Sequence, residues 1–250
     1  MENDPSTFLS VTNALAQFTD ASKWFFSPLP KKENSRFVDW LGGGCYHSHR
    51  MSALDSLARE IENCHDCELA QLRTRAVPGE GPENATILFI GEAPGFHEDQ
   101  QGRPFIGAAG QFLQALLASI GLRRDQVFIA NVIKCRTPQN RDPLPGEIQS
   151  CRKWLDRQVE AIRPKLVVTL GRYSMARYFP GETISKVHGK ARKVNGVIYF
   201  PMYHPAAALH QGGLRETIEA DMLKIPELLA EAAKQEKAEA KQQPKQLGMF

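Results

Sequence analysis

The stretch that most limits what this chain can fold into is Ile87-Leu88-Phe89-Ile90 and the turn that follows it, GEAPGFHEDQQGRPFIGAAGQ over residues 91–111. Four apolar residues in a row, without polar alternation, read as a strand buried on both faces. Such a strand needs helices above and below it, and the rest of the chain supplies them. Further strand candidates at 127–133, 165–170 and 197–203 are separated by helical patterns. One pattern sets Phe112, Leu113, Leu116, Leu117 and Ile120 at helical spacing before Gly121 stops it, and another runs over 146–162. Strands alternating with helices predict an α/β fold: a three-layer α/β/α arrangement around a central, mainly parallel four-stranded sheet. A Val194-Asn195-Gly196 turn precedes the fourth strand, and the last helical stretch, 213–241, is expected to break or kink at Pro226.

A chain of 250 residues with 42% hydrophobic content buries one sizeable core and leaves its ends over. The pattern divides it into a 1–50 extension of unknown role, a 51–230 domain, and a charged helix end with a flexible tail at 231–250. Within the extension, 7–18 suits a short amphipathic helix, and Cys45 with the nearby histidines has no tight ligand spacing. No run approaches the roughly 18 apolar residues of a membrane span, and the start lacks a charged-then-apolar signal pattern. A soluble, monomeric chain in the cytoplasm, associated with the nucleoid, is expected. The formal charge is only +3, but residues 134–193 hold 14 Lys/Arg against five Asp/Glu. A local excess of that kind suits a polyanion.

Four of the five cysteines form a set, Cys64 and Cys67 spaced C-x2-C and Cys135 and Cys151 spaced C-x15-C. Two thiol pairs from separate segments favour a metal centre ligated by all four, and the spacing admits either zinc or an iron-sulfur cluster. At the carboxyl ends of the predicted strands stand Glu92, Glu98 and Asp99, the ring of Phe105, the amide of Asn131 and the imidazole of His204. Open α/β sheets bind ligands at that edge. An amide that donates to a carbonyl and accepts from a ring N–H, beside an aromatic on which to stack, makes a pocket for a pyrimidine base.

GEAPG with Glu98-Asp99, GRPFIGAAGQ, ANVIKCRTPQNR, the four cysteines and the HPAAAL turn together resemble the family 4 uracil-DNA glycosylases, the iron-sulfur type. The resemblance implies a base-excision-repair hydrolase that cleaves the N-glycosidic bond between uracil and deoxyribose in single- or double-stranded DNA, leaving an abasic site. It implies a [4Fe-4S] cluster on Cys64, Cys67, Cys135 and Cys151, with zinc the runner-up. Phe105 would stack on the flipped uracil, Asn131 would recognise its Watson–Crick edge, and Gly91, Ala93 and Glu98 would complete the pocket. His204 would stabilise charge developing on uracil O2, and Glu92 would support the sugar cation or orient water. Ala208 and Leu209 would form the wedge that holds the gap in the DNA open.

Family 1 enzymes of the same superfamily resemble this loop but place an Asp where Ala93 stands and a thymine-excluding Tyr where Gly95 stands. Glu92 and Glu98 are therefore expected to share those duties. The last residues, Gln246-Leu247-Gly248-Met249-Phe250, resemble peptides that bind the sliding clamp, with Gln246, Leu247, Met249 and Phe250 as the contacts. The competing reading, a non-catalytic nucleic-acid-binding module with a structural metal, gives no reason for Asn131 and His204 to meet Phe105.

Overall fold

The computed structural model describes residues 52–242, with side chains through Lys234. Ser52 starts α1 (Ala53–Glu62) through a capping box: its hydroxyl accepts from the Asp55 amide, and the Asp55 carboxylate accepts from the Ser52 amide. A short α2 (Leu69–Leu72) follows. β1 (Ile87–Gly91) is buried at all five positions. The turn after it contains α3 (Phe96–Gln101) and leads to α4 (Ala108–Ser119), beyond which Gly121 takes φ 74°. Then come β2 (Phe128–Asn131), α5 (Pro145–Ile162), β3 (Leu166–Leu170), α6 (Arg172–Ala176) and α7 (Ile184–Val187). The chain closes with β4 (Arg192–Val194), β5 (Val197–Met202), α8 (Pro205–His210), α9 (Gly213–Met222) and α10 (Ile225–Gln242).

The sheet order is β2-β1-β3-β5-β4, and the first four strands run parallel. Five strands rather than four is a correction: β4 pairs antiparallel with β5 across Asn195 and Gly196, both at positive φ. Three exposed residues, two of them basic, carry no apolar periodicity, so only the pairing reveals the strand. The same charges guard an open sheet edge. The break near Pro226 is also displaced, to Leu223–Lys224. Pro226 sits second in α10, where its missing N–H costs no helix bond.

Because successive side chains point to opposite faces, each strand feeds two cores. Ile87, Phe89, Val168, Leu170 and Phe200 pack with Leu113, Leu116, Ile218 and Met222. Leu88, Ile90, Ala130 and Val167 pack with Leu57, Ile61, Trp154 and Leu155 on the other face. From β1 the chain winds first to β2 and then back past β1 to β3, so the direction reverses beside β1, and the loops leaving the strands gather at one edge. No described helix is long and apolar enough to cross a membrane.

Candidate active site and metal centre

The carboxyl edge of the sheet opens into a cleft of about 780 Å³, counted out to bulk solvent. Its walls come from four separated segments: residues 92–95 with Glu98, Phe105 and Ala109; Asn131; Thr137, Asn140 and Arg141; and His204 with Ala206. Glu92, Ala93, Glu98, Phe105, Asn131 and His204 therefore meet in one place. Asp99 does not join them: it is buried and accepts from the amides of Thr74 and Arg75. Gly91 lies underneath. A Cβ there would stand 2.4 Å from Asn131 Oδ1 and 2.6 Å from the Phe105 ring, so amide and ring share that space only over a glycine.

Phe105 has φ 51°, a left-handed backbone that an aromatic residue adopts only under constraint. The constraint is Arg124, whose guanidinium donates to the Phe105 carbonyl at 3.0 Å and to the Pro104 carbonyl. Glu80 in turn accepts from Arg103 and Arg124. From below, α4 approaches so closely that a Cβ on Gly110 would lie 1.9 Å from the Phe105 carbonyl oxygen. Arg124, Thr137, Asn140 and Arg141 were not anticipated as contributors. Gly110, in the middle of a good helix pattern, was the one local signal.

The polar groups are set for a neutral, planar ligand. Asn131 is 1% exposed and its Oδ1 has no hydrogen-bond partner, an orphaned acceptor at the floor of the cleft. His204 Nδ1 accepts from the Ala206 amide at 3.1 Å, which places the proton of a neutral ring on Nε2. Although part of His204 faces the cleft, its ring is enclosed, and burial pulls its pKa down to about 4 against the pull of Glu98. The ring stacks on Phe105, with centroids 5.5 Å apart and planes 28° from parallel. Glu98 Oε1 accepts from the amides of Ile106 and Gly107, both at 2.9 Å. Its other oxygen stands over Gly95, 2.8 Å from where a Cβ would be. Burial, reinforced by Asp142 and opposed by Arg172, pushes Glu92 up to about 7.

On the opposite face of the sheet, Cys64, Cys67, Cys135 and Cys151 line a small second pocket with Arg73, Lys134 and Trp154. None of the four is in a disulfide. Arg73 donates to Cys135 Sγ at 3.0 Å and the Lys134 amide to Cys151 Sγ at 3.2 Å, hydrogen bonds that suit sulfur carrying negative charge. Among the described residues no three His, Cys, Asp or Glu side chains converge closely enough to hold a single ion. Burial pushes the Cys151 thiol up to about 12, partly offset by Lys134, so a bound metal's charge is what would make it a thiolate.

The family model for the uracil DNA glycosylase superfamily matches residues 78–225. A type-4 uracil-DNA glycosylase from Sulfurisphaera tokodaii is 51% identical over 188 residues, 71% of this chain and 86% of the relative. The chain belongs to the type-4 uracil-DNA glycosylases. The Archaeoglobus fulgidus member is 49% identical over 71% of this chain and 94% of its own length. The Thermotoga maritima member is 39% identical over 64% and 85%.

In this type-4 uracil-DNA glycosylase the turn after His204 forms α8, with His204 as its N-cap. Ala208 packs half-buried on the core and Leu209 is 51% exposed. The basic stretch is less open than its composition implies. Arg141, Arg152, Lys153, Arg157, Arg172, Arg177 and Arg192 are in ion pairs, and Lys134 is buried. Gln246, Leu247, Met249 and Phe250, and the whole 1–50 extension with Cys45, lie outside the described residues.

Proposed function

We propose that this protein excises uracil from DNA in base-excision repair, hydrolysing the N-glycosidic bond and leaving an abasic site. The observation that carries the reading is the orphaned Oδ1 of Asn131 beside the Phe105 ring, within the same cleft as a His204 that stays neutral down to about pH 4. Asn131 accepts from uracil N3–H and donates to O4, while Phe105 stacks on the flipped ring. As the bond from N1 to C1′ breaks, the electron pair passes to the uracil, and His204 Nε2–H donates to O2 where the charge accumulates. A neutral donor suits an enolate because no proton need be moved at the moment of reaction. Glu92, once ionised, faces the electron-poor sugar and orients the water that adds to C1′. Glu98, held by two amides over Gly95, fills the space a thymine methyl would need. Ala208 and Leu209 occupy the gap left in the DNA, with exposed Leu209 the larger wedge.

Cys64, Cys67, Cys135 and Cys151 would hold a [4Fe-4S] cluster. Four cysteine thiols lining one pocket are the donor set that such a cluster takes, and zinc, which accepts the same four, is the runner-up. The cluster's contribution when bound is structural, tying α1, the segment after β2 and α5 together. The 51–230 region acts as the catalytic domain, and the 231–250 tail tethers the enzyme to the sliding clamp through Gln246, Leu247, Met249 and Phe250.

Incubation with a single-stranded oligonucleotide carrying one uracil, followed by alkali, should cut the strand at that position; an intact strand would refute the reading. Glu98→Ala should begin to release thymine, and unchanged discrimination removes that role. Broad visible absorption with stoichiometric iron supports the cluster, whereas a colourless protein containing zinc rejects it. Deleting residues 246–250 should abolish retention on immobilised clamp.

A further inference from the structure

The rim of the cleft carries a feature that base excision does not use. Phe96, directly after the cleft residue Gly95, is 51% exposed. It is the one aromatic among the exposed large hydrophobic side chains of the described residues. An aromatic left in water at the mouth of a site is a contact surface in waiting. The Arg136 guanidinium lies over its ring, 5.1 Å from the centroid, and His97 packs edge-on at 5.5 Å. Arg136 also donates to Asn140 Oδ1 at 2.8 Å, which joins the pair to the opposite wall of the cleft. Two other cations are committed, Arg141 of that wall to Glu147 and Arg172 to Asp142. Arg136 makes no ion pair with any described carboxylate, and its charge remains for a phosphate.

We infer that Phe96 and Arg136 form a stacking platform for an unpaired base next to the flipped uracil in single-stranded DNA. The inference rests on the glycosylase reading for the position of the uracil. Every base has a π-face, so an aromatic ring takes any neighbour, while the guanidinium holds its phosphate. In a duplex the flanking bases stay stacked on their own neighbours, and the platform has nothing to receive.

The test uses the full chain with three uracil substrates: a single strand, the same strand with abasic analogues on both sides of the uracil, and a U·G duplex. Phe96→Ala should raise KM on the ordinary single strand about tenfold, with kcat within about twofold, as loss of one stacking contact implies. Phe96→Trp should restore wild-type KM and Phe96→Leu should not. On the strand without flanking bases, and on the duplex, wild type and Phe96→Ala should coincide. Arg136→Gln should lower the slope of log affinity against log salt by about 0.7 on single strands. Equal losses on all three substrates, or none on any, would overturn the platform. Fluorescence anisotropy of single-strand binding gives the same comparison without catalysis. Absence of uracil release by wild type therefore sinks the glycosylase reading, whereas unchanged binding by Phe96→Ala sinks the platform.

Discussion

Glu92 is the residue whose chemistry and stability pull in opposite directions. Burial raises its pKa to about 7, so the folded protein favours the protonated acid, the form that the proposed role of Glu92 cannot use. A carboxyl raised in the folded state contributes stability below its unfolded pKa and loses it as pH climbs through the folded value. Glu92→Gln is therefore expected to melt at a higher temperature than wild type at pH 8, with the gap closing towards pH 4.5. The same variant should excise uracil about 100-fold more slowly and should lack the fall in kcat below about pH 7 that is expected of wild type, because His204 does not titrate in that window. Arg124 acts at one remove. It holds the Pro104 and Phe105 carbonyls, so Arg124→Ala should weaken binding of free uracil about tenfold, or about 1.4 kcal/mol, as the ring loses its fixed position. Arg124→Lys should recover only part of that, since one ammonium cannot reproduce the fork. Isothermal titration with uracil measures both.

The unit that matters among the elements is the turn between β1 and α4. It is longer than a tight βα connection because it folds α3 inside itself, and that helix brings Glu98 back over Gly95 while Asp99 ties the turn to residues 74–75. α4 then presses its Gly110 against the Phe105 carbonyl. Replacing a helical glycine by alanine ordinarily stabilises by about 0.5–1 kcal/mol. Here the Cβ would overlap backbone, so Gly110→Ala is expected to destabilise by about 2 kcal/mol or more and to displace the ring. Urea unfolding and a KM measurement check the two consequences. The legible elements were those with a long apolar period, such as β1, α4 and α5. β4 has no sequence counterpart and the break ahead of Pro226 is displaced, because pairing across Asn195-Gly196 and docking of α9 decide them, and neither leaves a local pattern.

For the whole molecule the sheet is a partition. Its carboxyl edge holds the cleft, and one face carries the four cysteines, two just after α1, one after β2 and one in α5. Lys134 bridges the two regions: its amide meets Cys151 Sγ, and its ammonium donates to the Asn131 carbonyl and to Gln158. Loss of the proposed cluster should therefore reach the cleft. Cys151→Ala is expected to lose visible absorption, to melt about 5–10 °C lower, as ~2–3 kcal/mol implies for a chain of this size, and to bind free uracil less tightly. Differential scanning calorimetry and uracil titration on protein purified without added chelator read these changes.

By itself the sequence determined the alternation of buried strands and helices, the four-cysteine set, and the identities Glu92, Phe105, Asn131 and His204, because each is written in local periodicity, spacing or motif. Only the tertiary structure decided which groups act as one. It turned Asp99 away from the cleft, placed Arg124 and Gly110 behind Phe105, left Asn131 Oδ1 without a partner, and drew seven of the basic residues at 134–193 into ion pairs with described carboxylates. Those outcomes depend on distances between segments far apart in the chain, set by sheet order and close packing. Charge counted along a sequence carries no record of the carboxylate that will fold against it.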